Sequence, residues 1–216
     1  MRAALFDMDR TLVRKETLSL YVRYQRSIGE ATRRDLLRVL YWVTQYTMGM
    51  IDAPEVATRA LRVLEGTPEA AMAARCDDWF RRYVETHVCD LGRRAVERHR
   101  ERGDLLAIVT GASPYVAWPL ARRLGIDHVV ASELEVGPQG LFTGRFVDPL
   151  CLGNGKIVRA RRLAEAQGFE LSAATFYTDS FTDLPLLEVV AEPVIVNPDP
   201  RLQRLAKKRG WRIERW

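Results

Sequence analysis

The fold is decided by the stretch Ala3-Ala4-Leu5-Phe6-Asp7-Met8-Asp9-Arg10-Thr11-Leu12, near the beginning of the 216-residue chain. Its four leading apolar residues are typical of a strand that is buried on both faces of a parallel sheet. Ligands of α/β proteins bind at the carboxyl ends of such strands, which is where Asp7 and Asp9 lie. Because residues two apart in an extended segment point to the same side, both carboxylates can act on one substrate or ion. A helix cap or an ordinary turn is an alternative for the same pattern.

Beyond residue 103, short apolar strands alternate with helices. Strands separated by helices indicate a parallel sheet with right-handed crossovers, so we expect a doubly wound, Rossmann-like α/β core. A hairpin is also predicted around the Gly-Pro-Gln-Gly sequence at residues 137–140. The predicted strands cover residues 105–109, 129–131, 174–177 and 194–196, and the predicted helices cover residues 114–124, 155–168 and 184–190.

Residues 17–102 carry apolar and aromatic residues at spacings of three and four, which indicates helices without an intervening strand. An insertion of this length is not expected to be structureless in a compact domain. We therefore predict an inserted, all-helical cap after the first strand, over the carboxyl end of the sheet. The expected domains are residues 1–14 and 103–216 for the α/β core and residues 15–102 for the helical cap.

The composition excludes several classes of protein. A chain that is 47% hydrophobic can bury one sizeable core together with an inserted domain. The net charge of +5 is spread along the chain, and no basic run is longer than Lys207-Lys208-Arg209, so we expect no nucleic-acid partner. The most apolar later segment, residues 36–51, is too short to span a bilayer, so no membrane association is expected.

The cysteines and the amino terminus indicate a cytoplasmic protein. Cys76, Cys89 and Cys151 lie far apart and lack the spacing of zinc ligands, which also argues against a disulfide framework. The apolar stretch at the amino terminus ends at Asp7, too early for a secretory signal.

Two further candidate residues follow predicted element ends. The strand at residues 105–109 leads into Thr110-Gly111, and such a turn can offer backbone N–H groups and a hydroxyl to a phosphate. An ordinary strand-to-helix turn is the alternative. Lys156 begins a helix, where a cation opposes the helix dipole and so favours an anionic neighbour. A solvated surface lysine is the alternative here.

A second pair of carboxylates follows the predicted strand at residues 174–177. Asp179 lies at the strand end and Asp183 in the first turn of the next helix, so both can converge on one point. Next to Asp7 and Asp9 they would repel one another strongly in a low-dielectric cleft, and a divalent cation would relieve this repulsion. Ligands that are all oxygen favour Mg²⁺ over zinc.

These four motifs resemble those of the haloacid dehalogenase (HAD) superfamily of phosphohydrolases, and they occur in the same order across nearly the whole chain. The resemblance implies an Mg²⁺-dependent phosphomonoester hydrolase that forms an aspartyl-phosphate intermediate on a small phosphorylated metabolite. It disfavours a dehalogenase, because dehalogenases lack the second aspartate. The motifs are Asp7-Met8-Asp9-Arg10-Thr11, Thr110, Lys156 and Asp179-Ser180-Phe181-Thr182-Asp183.

The resemblance also implies a role for each motif residue. Asp7 would be the nucleophile, Asp9 the general acid and base, and Lys156 the cation that neutralises Asp7 and the developing charge. Asp183 would bind the metal directly or support another ligand, and Asp9 would contribute its backbone carbonyl. The expected phosphate-binding residues are Met8, Thr110, Gly111 and Lys156, and the expected metal ligands are Asp7, Asp9, Asp179 and Asp183.

Residues 11–17 and the position of the insertion resemble the phosphoserine phosphatase branch, subfamily IB. In that branch, a glutamate at the position of Glu16 approaches the substrate's amino group. Ala60 replaces the arginine that grips the substrate carboxylate, with Arg59 and Arg62 as its neighbours. We therefore expect an amine-bearing substrate without a carboxylate, such as histidinol phosphate, and retain phosphoserine as the alternative.

Further alternatives remain open at this point. Glu16 is also compatible with an acidic residue that favours a helix start, and Thr182 stands where the branch usually has asparagine. Tyr41, Trp42 and Tyr46 either pack inside the cap or shelter an aromatic or lipid-like leaving group. A non-catalytic regulator that binds a phosphorylated ligand is the alternative from a different class.

Overall fold

The computed structural model describes residues 1–30, 32, 34, 41 and 64–216. The chain divides into two units, each formed by segments that are separate in the sequence. Unit 1 consists of Met1–Arg14, Val88–Ser132 and Pro149–Trp216, and unit 2 consists of Lys15–His87 and Glu133–Asp148.

Eight strands are present in the described residues, six in unit 1 and two in unit 2. They are β1 (Ala3–Phe6), β2 (Leu105–Val109), β3 (His128–Val130), β4 (Leu134–Val136), β5 (Phe142–Phe146), β6 (Thr175–Thr178), β7 (Glu192–Val196) and β8 (Arg212–Glu214).

The α-helices of the described residues lie between these strands. Short 3₁₀ turns and one π-helical turn complete the helical structure, the latter at Phe80–Val84 directly after the second helix. The helices are α1 (Thr17–Ser27), α2 (Glu69–Trp79), α3 (Asp90–Glu101), α4 (Pro114–Leu124), α5 (Asn154–Gln167), α6 (Leu184–Leu187) and α7 (Pro200–Arg209).

The sheet of unit 1 is parallel throughout, with the strand order β3-β2-β1-β6-β7-β8. Phe6 at the end of β1 is in register with Ile108 of β2 on one side and Tyr177 of β6 on the other. The chain moves outward from β1 to β3 and then returns to β6 on the opposite side of β1. This arrangement confirms the predicted doubly wound α/β core, and its switch point lies between β1 and β6.

The core of unit 1 explains why β1 is so apolar. All four residues of β1 are buried, and Leu5 and Phe176 belong to a cluster of small and branched apolar side chains between sheet and helices. Helix α4 has Pro114 at its first position, and Gly125, directly after its last residue, is in the left-handed conformation that favours glycine.

Unit 2 contains α1, α2 and the antiparallel hairpin β4-β5. In the hairpin, Leu134 pairs with Phe146 and Val136 with Phe142. The Gly66 backbone N–H donates to the Phe142 carbonyl at 2.9 Å, which joins the hairpin to the segment that precedes α2. The helices meet through aromatic side chains, among them Tyr21 and Trp79, whose ring centroids are 5.7 Å apart.

The two units differ from the expected domains in two places. Helix α3, expected in the cap, belongs to unit 1, where the His99 ring bonds to the Tyr177 hydroxyl of β6 at 2.9 Å. The hairpin, expected in the core, belongs to unit 2, which is therefore not all-helical. Helix α6 is also shorter than predicted, and α7 and β8 were not predicted.

The helices that the structure describes are all too short or too polar to cross a membrane.

Candidate active site

Three adjacent strands of the sheet end in candidate residues. Asp7 follows β1, Thr110 follows β2 and Asp179 follows β6. Backbone hydrogen bonds continue past the strand ends, since the Asp7 N–H donates to the Tyr177 carbonyl at 2.8 Å. The switch point of the sheet thus brings together residues from distant parts of the chain.

Lys156 joins the first motif to the last. Its Nζ atom lies 2.9 Å from Asp7 Oδ1 and 2.8 Å from Asp183 Oδ2. Only 2% of the lysine is exposed, so the alternative of a solvated surface lysine is wrong. It lies in the first turn of α5, where a positive charge opposes the helix dipole, and the two carboxylates compensate for this unfavourable position.

The charges of this cluster influence one another. Burial raises the pKa of Asp7 to about 6, while Lys156 opposes the rise and Asp183 adds to it. Burial also disfavours the charged form of Lys156, but the Asp183 and Asp7 carboxylates outweigh it and raise the pKa of the lysine. When both aspartates are ionised, two negative charges face one positive charge, and a further cation is favoured.

Thr178, which the sequence analysis did not identify, positions Asp183. Its hydroxyl donates to Asp183 Oδ2 at 2.7 Å and accepts from the Ser180 backbone N–H at 3.2 Å. The threonine is fully buried at the end of β6. The threonine directly before Asp179, at the carboxyl end of the strand, is the signal that could have identified it.

Asp199 is a second residue that the sequence analysis missed. Its carboxylate accepts from the Phe181 backbone N–H at 2.6 Å, and its own N–H donates to the Asp179 carbonyl at 2.9 Å. The same carboxylate caps α7 by accepting from the N–H of Arg201 at 2.7 Å. An aspartate directly before a proline is a helix-start signal, and here it also holds the turn that carries Asp179.

Asp9 and Arg10 lie in a turn rather than in an extended strand. β1 ends at Phe6, and the Val13 N–H closes the turn by donating to the Met8 carbonyl at 2.9 Å. Asp9 forms an isolated bridge with Val13 within this turn, and the shared direction that we predicted for Asp7 and Asp9 stays a prediction. Within the turn, Arg10 Nε lies 3.2 Å from Asp179 Oδ2.

The turn after β2 is closely packed. The Thr110 hydroxyl is buried and accepts from the Ala112 N–H at 3.2 Å. A Cβ atom on Gly111 would lie 2.5 Å from the Leu152 side chain, so a larger residue at this position requires that side chain to move. Met8 is also buried, and its backbone forms a hydrogen bond with the Asp7 carboxylate.

The oxygen donors of the site fit a hard divalent cation. Asp7 and Asp179 are buried carboxylates at adjacent strand ends, and carboxylate oxygens are the ligands that Mg²⁺ prefers. Asp183 is already engaged by Lys156 and Thr178. In the described part of the chain, no three carboxylate, histidine or cysteine side chains form a ready-made metal cluster. Asp7 and Asp179 could therefore hold Mg²⁺, with the Asp183 carboxylate next to Asp7 through their shared contact with Lys156.

The structure locates only one of the residues expected to select the substrate. Glu16 directly precedes α1 in unit 2, where its carbonyl accepts from the Ser19 hydroxyl at 2.8 Å. Tyr41 is exposed. The other predicted cap residues, namely Arg59, Ala60, Arg62, Trp42 and Tyr46, lie outside the described residues.

The chain is similar to several known proteins. The family model for haloacid dehalogenase-like hydrolases matches residues 4–188, which include all four motifs. A phosphoserine phosphatase of Mycobacterium tuberculosis is 34% identical over 216 residues, covering 98% of this chain and 70% of that protein. A histidinol-phosphatase of Neisseria meningitidis is 27% identical, covering 97% of this chain and 96% of that protein. A solved structure from Bordetella pertussis, described as a protein with unknown function, aligns with a TM-score of 0.87 at 30% identity, over 98% of this chain and 97% of that one.

Proposed function

Because the chain belongs to the haloacid dehalogenase-like hydrolase family and is one of its phosphatases, we propose that it hydrolyses a small, amine-bearing phosphate monoester with Mg²⁺ as cofactor. The observation that carries this proposal is the buried contact of Lys156 with Asp7 and Asp183 at the switch point of the sheet. No position of the four motifs is missing, and a protein that only binds a phosphorylated ligand has no need for Asp9.

Asp7 is the nucleophile of the proposed reaction. One of its carboxylate oxygens attacks phosphorus while the bond from phosphorus to the leaving oxygen breaks, which produces an aspartyl phosphate. Asp9 donates a proton to the leaving alkoxide and becomes a carboxylate. It then accepts a proton from the water that attacks the phosphoryl group, so that phosphate leaves and Asp7 is restored.

The other residues act by position and charge. Lys156 neutralises Asp7, which allows an anionic phosphate to approach an anionic nucleophile, and it stabilises the charge that develops during transfer. The backbone of Met8 and the turn at Thr110 and Gly111 supply hydrogen-bond donors for the phosphoryl oxygens. These are the roles that the family resemblance assigns, and the short contacts of Lys156 support its part in them.

Mg²⁺ would be held by Asp7 and Asp179, with the backbone carbonyl of Asp9 as a further ligand. When bound, it supplies positive charge next to the transferring phosphoryl group. The burial of these carboxylates, and the single ammonium of Lys156 facing Asp7 and Asp183, support this assignment.

The proposal of an amine-bearing substrate is based on Glu16 and Ala60. Glu16 is acidic at the place where the related branch contacts an amino group, and Ala60 removes the arginine that would bind a carboxylate. The likeness to a histidinol-phosphatase supports histidinol phosphate. Phosphoserine is the second candidate, favoured by the 34% identity to a phosphoserine phosphatase.

Turnover of L-histidinol phosphate and of L-phosphoserine, measured as released phosphate with Mg²⁺ present, tests this proposal. We expect higher kcat/KM for histidinol phosphate and a lower value for Glu16→Gln, with KM rising more than kcat falls. A clear preference for phosphoserine would overturn the amine-only substrate.

A generic aryl phosphate separates the enzyme from a regulator that only binds phosphorylated ligands. Asp7→Asn keeps the shape of the side chain but removes the nucleophile, so its rate should fall to background. Equal rates for this variant and the wild type would contradict the proposed reaction. An unchanged rate after chelation by EDTA would contradict the metal assignment.

A further inference from the structure

The turn after β1 contains a residue in an unusual backbone conformation. Arg10 has a φ of +55°, in the left-handed region that favours glycine and asparagine over long side chains. Its carbonyl accepts from Asn197 Nδ2 at 3.4 Å, and the Asn197 side chain is itself bonded to the backbone of Trp216. The Asn197 side chain therefore holds the backbone of the turn at Arg10. The backbone conformation in turn sets the direction in which the Arg10 side chain leaves it.

That side chain ends at a carboxylate of the proposed metal site. Arg10 Nε lies 3.2 Å from Asp179 Oδ2, with 43% of the arginine side chain and 10% of the aspartate side chain exposed. Lys156, the other cation of the site, is buried between two different carboxylates. Of these two cations, Arg10 is the one whose side chain is already partly exposed to solvent.

We propose that the Arg10 guanidinium group pairs with the Asp179 carboxylate when no metal is bound and that Mg²⁺ must displace it. Arg10 would then lower the affinity of the site for Mg²⁺. This inference rests on the proposed function, because it requires Asp179 to be a metal ligand. The reason is charge: a guanidinium group and a divalent cation repel each other, so Arg10 at Asp179 Oδ2 competes with Mg²⁺ for that oxygen. Release into solvent is open to Arg10, since its side chain is long and half-exposed.

The expected effect is moderate. An ion pair with one half-exposed partner shifts an equilibrium by a factor of up to about five, and loss of the repulsion between arginine and metal adds to this. Arg10→Asn removes the charge and suits a left-handed backbone. We therefore expect Arg10→Asn to bind Mg²⁺ roughly three- to tenfold more tightly than the wild type.

Isothermal titration calorimetry of the whole chain with MgCl₂ measures this difference directly. Arg14→Asn is the matched control, because it removes the same charge four residues later from an exposed pair with Asp90. We expect the control to bind within about twofold of the wild type. Equal or weaker binding by Arg10→Asn, or an equal gain in Arg14→Asn, would overturn the inference.

A second measurement uses only the wild-type protein. Phenylglyoxal modifies accessible guanidinium groups, and peptide mass spectrometry reports the rate at each arginine. Saturating Mg²⁺ should increase the rate at Arg10 and leave the rate at Arg14 unchanged, and an unchanged rate at Arg10 would contradict displacement. If the wild type binds no Mg²⁺, the proposed cofactor fails together with this inference, whereas equal binding by wild type and Arg10→Asn refutes only the role of Arg10.

Discussion

Replacing Lys156 by methionine removes the one buried ammonium that compensates Asp7 and Asp183. The methionine fills a similar volume, so the change is mainly one of charge. In the metal-free protein, two carboxylates that are 8% and 3% exposed would then face each other without a cation. Removal of one partner from a buried ion pair costs about 3–5 kcal/mol of unfolding free energy. We expect a loss of this size for Lys156→Met at neutral pH.

The loss should depend on pH, because Asp7 can escape the repulsion by binding a proton. Its pKa is raised on folding from 3.8 to about 6. A group with a raised pKa stabilises the fold when protonated, so this contribution is fully present below pH 4 and disappears as the pH rises through 6. Across this pH range, the contribution of Asp7 to the free energy of unfolding changes by about 3 kcal/mol in the wild type. Lys156 lowers this pKa. Without Lys156, Asp7 should therefore stay protonated, and stabilise the fold, up to a higher pH.

Urea unfolding in the presence of EDTA, at about pH 4.5 and about pH 8, measures both effects. Lys156→Met should be much less stable than the wild type at the higher pH and closer to it at the lower pH. Lys208→Met is the matched control, because Lys208 is an exposed lysine in the last turn of α7, where removal of its charge should cost less than about 0.5 kcal/mol. An equal loss of unfolding free energy in Lys156→Met at both pH values, or no loss, would refute the contacts of Lys156 with Asp7 and Asp183.

Two further substitutions and the reactivity of two cysteines test other parts of the protein. Gly155→Ala would bring a Cβ atom within 1.9 Å of the Leu150 carbonyl oxygen, so the loop before α5 must shift; we expect a loss of about 1–3 kcal/mol in urea unfolding and a lower kcat. Asp199→Ala removes the cap of α7 and should cost about 1–2 kcal/mol, measured in the same way. Burial raises the pKa of Cys76 and of Cys151 to about 12, so both thiols should react with iodoacetamide about 1,000-fold more slowly than exposed cysteines at pH 8, as followed by peptide mass spectrometry.

Each of these experiments has an internal control. Gly140→Ala also replaces a glycine but adds a Cβ atom in open space, although its positive φ of +71° gives it a backbone cost of its own. Asp199→Asn keeps an acceptor oxygen and should retain most of the stability that Asp199→Ala loses. The thiols should all react rapidly in guanidinium chloride. Fast labelling of Cys151 in the folded protein would contradict its burial beside the active site.

The regular elements of unit 1 could be predicted where a short apolar run is bounded by clear signals. The strand at residues 105–109 and the helix at residues 114–124 agree with β2 and α4, since proline and glycine mark the helix ends. The prediction failed for β8, whose three residues Arg212–Glu214 include two charged ones and belong to a strand only through pairing with β7. Such pairing depends on a partner that local sequence does not identify.

The residues of the candidate site also fall into those that the local sequence predicts and those that it does not. Asp7, Thr110, Lys156 and Asp179 could be found because each follows or begins an element whose end is visible in the sequence. Thr178 and Asp199 could not, because their importance lies in hydrogen bonds to Asp183 and to the turn that carries Asp179. These bonds are properties of the assembled turn.

The sequence by itself determined the parallel α/β core, the order of the four motifs and the reaction class that they imply, because these depend on residue types at the ends of local elements. Only the tertiary structure decided which charges meet. Lys156 reaches Asp7 across 149 residues of chain, and Arg10 reaches Asp179. The reason is the strand order, which places β6 beside β1 after the chain has passed through β2 and β3. Contacts between residues so far apart follow from the whole sheet, since no local pattern encodes which strand ends become neighbours.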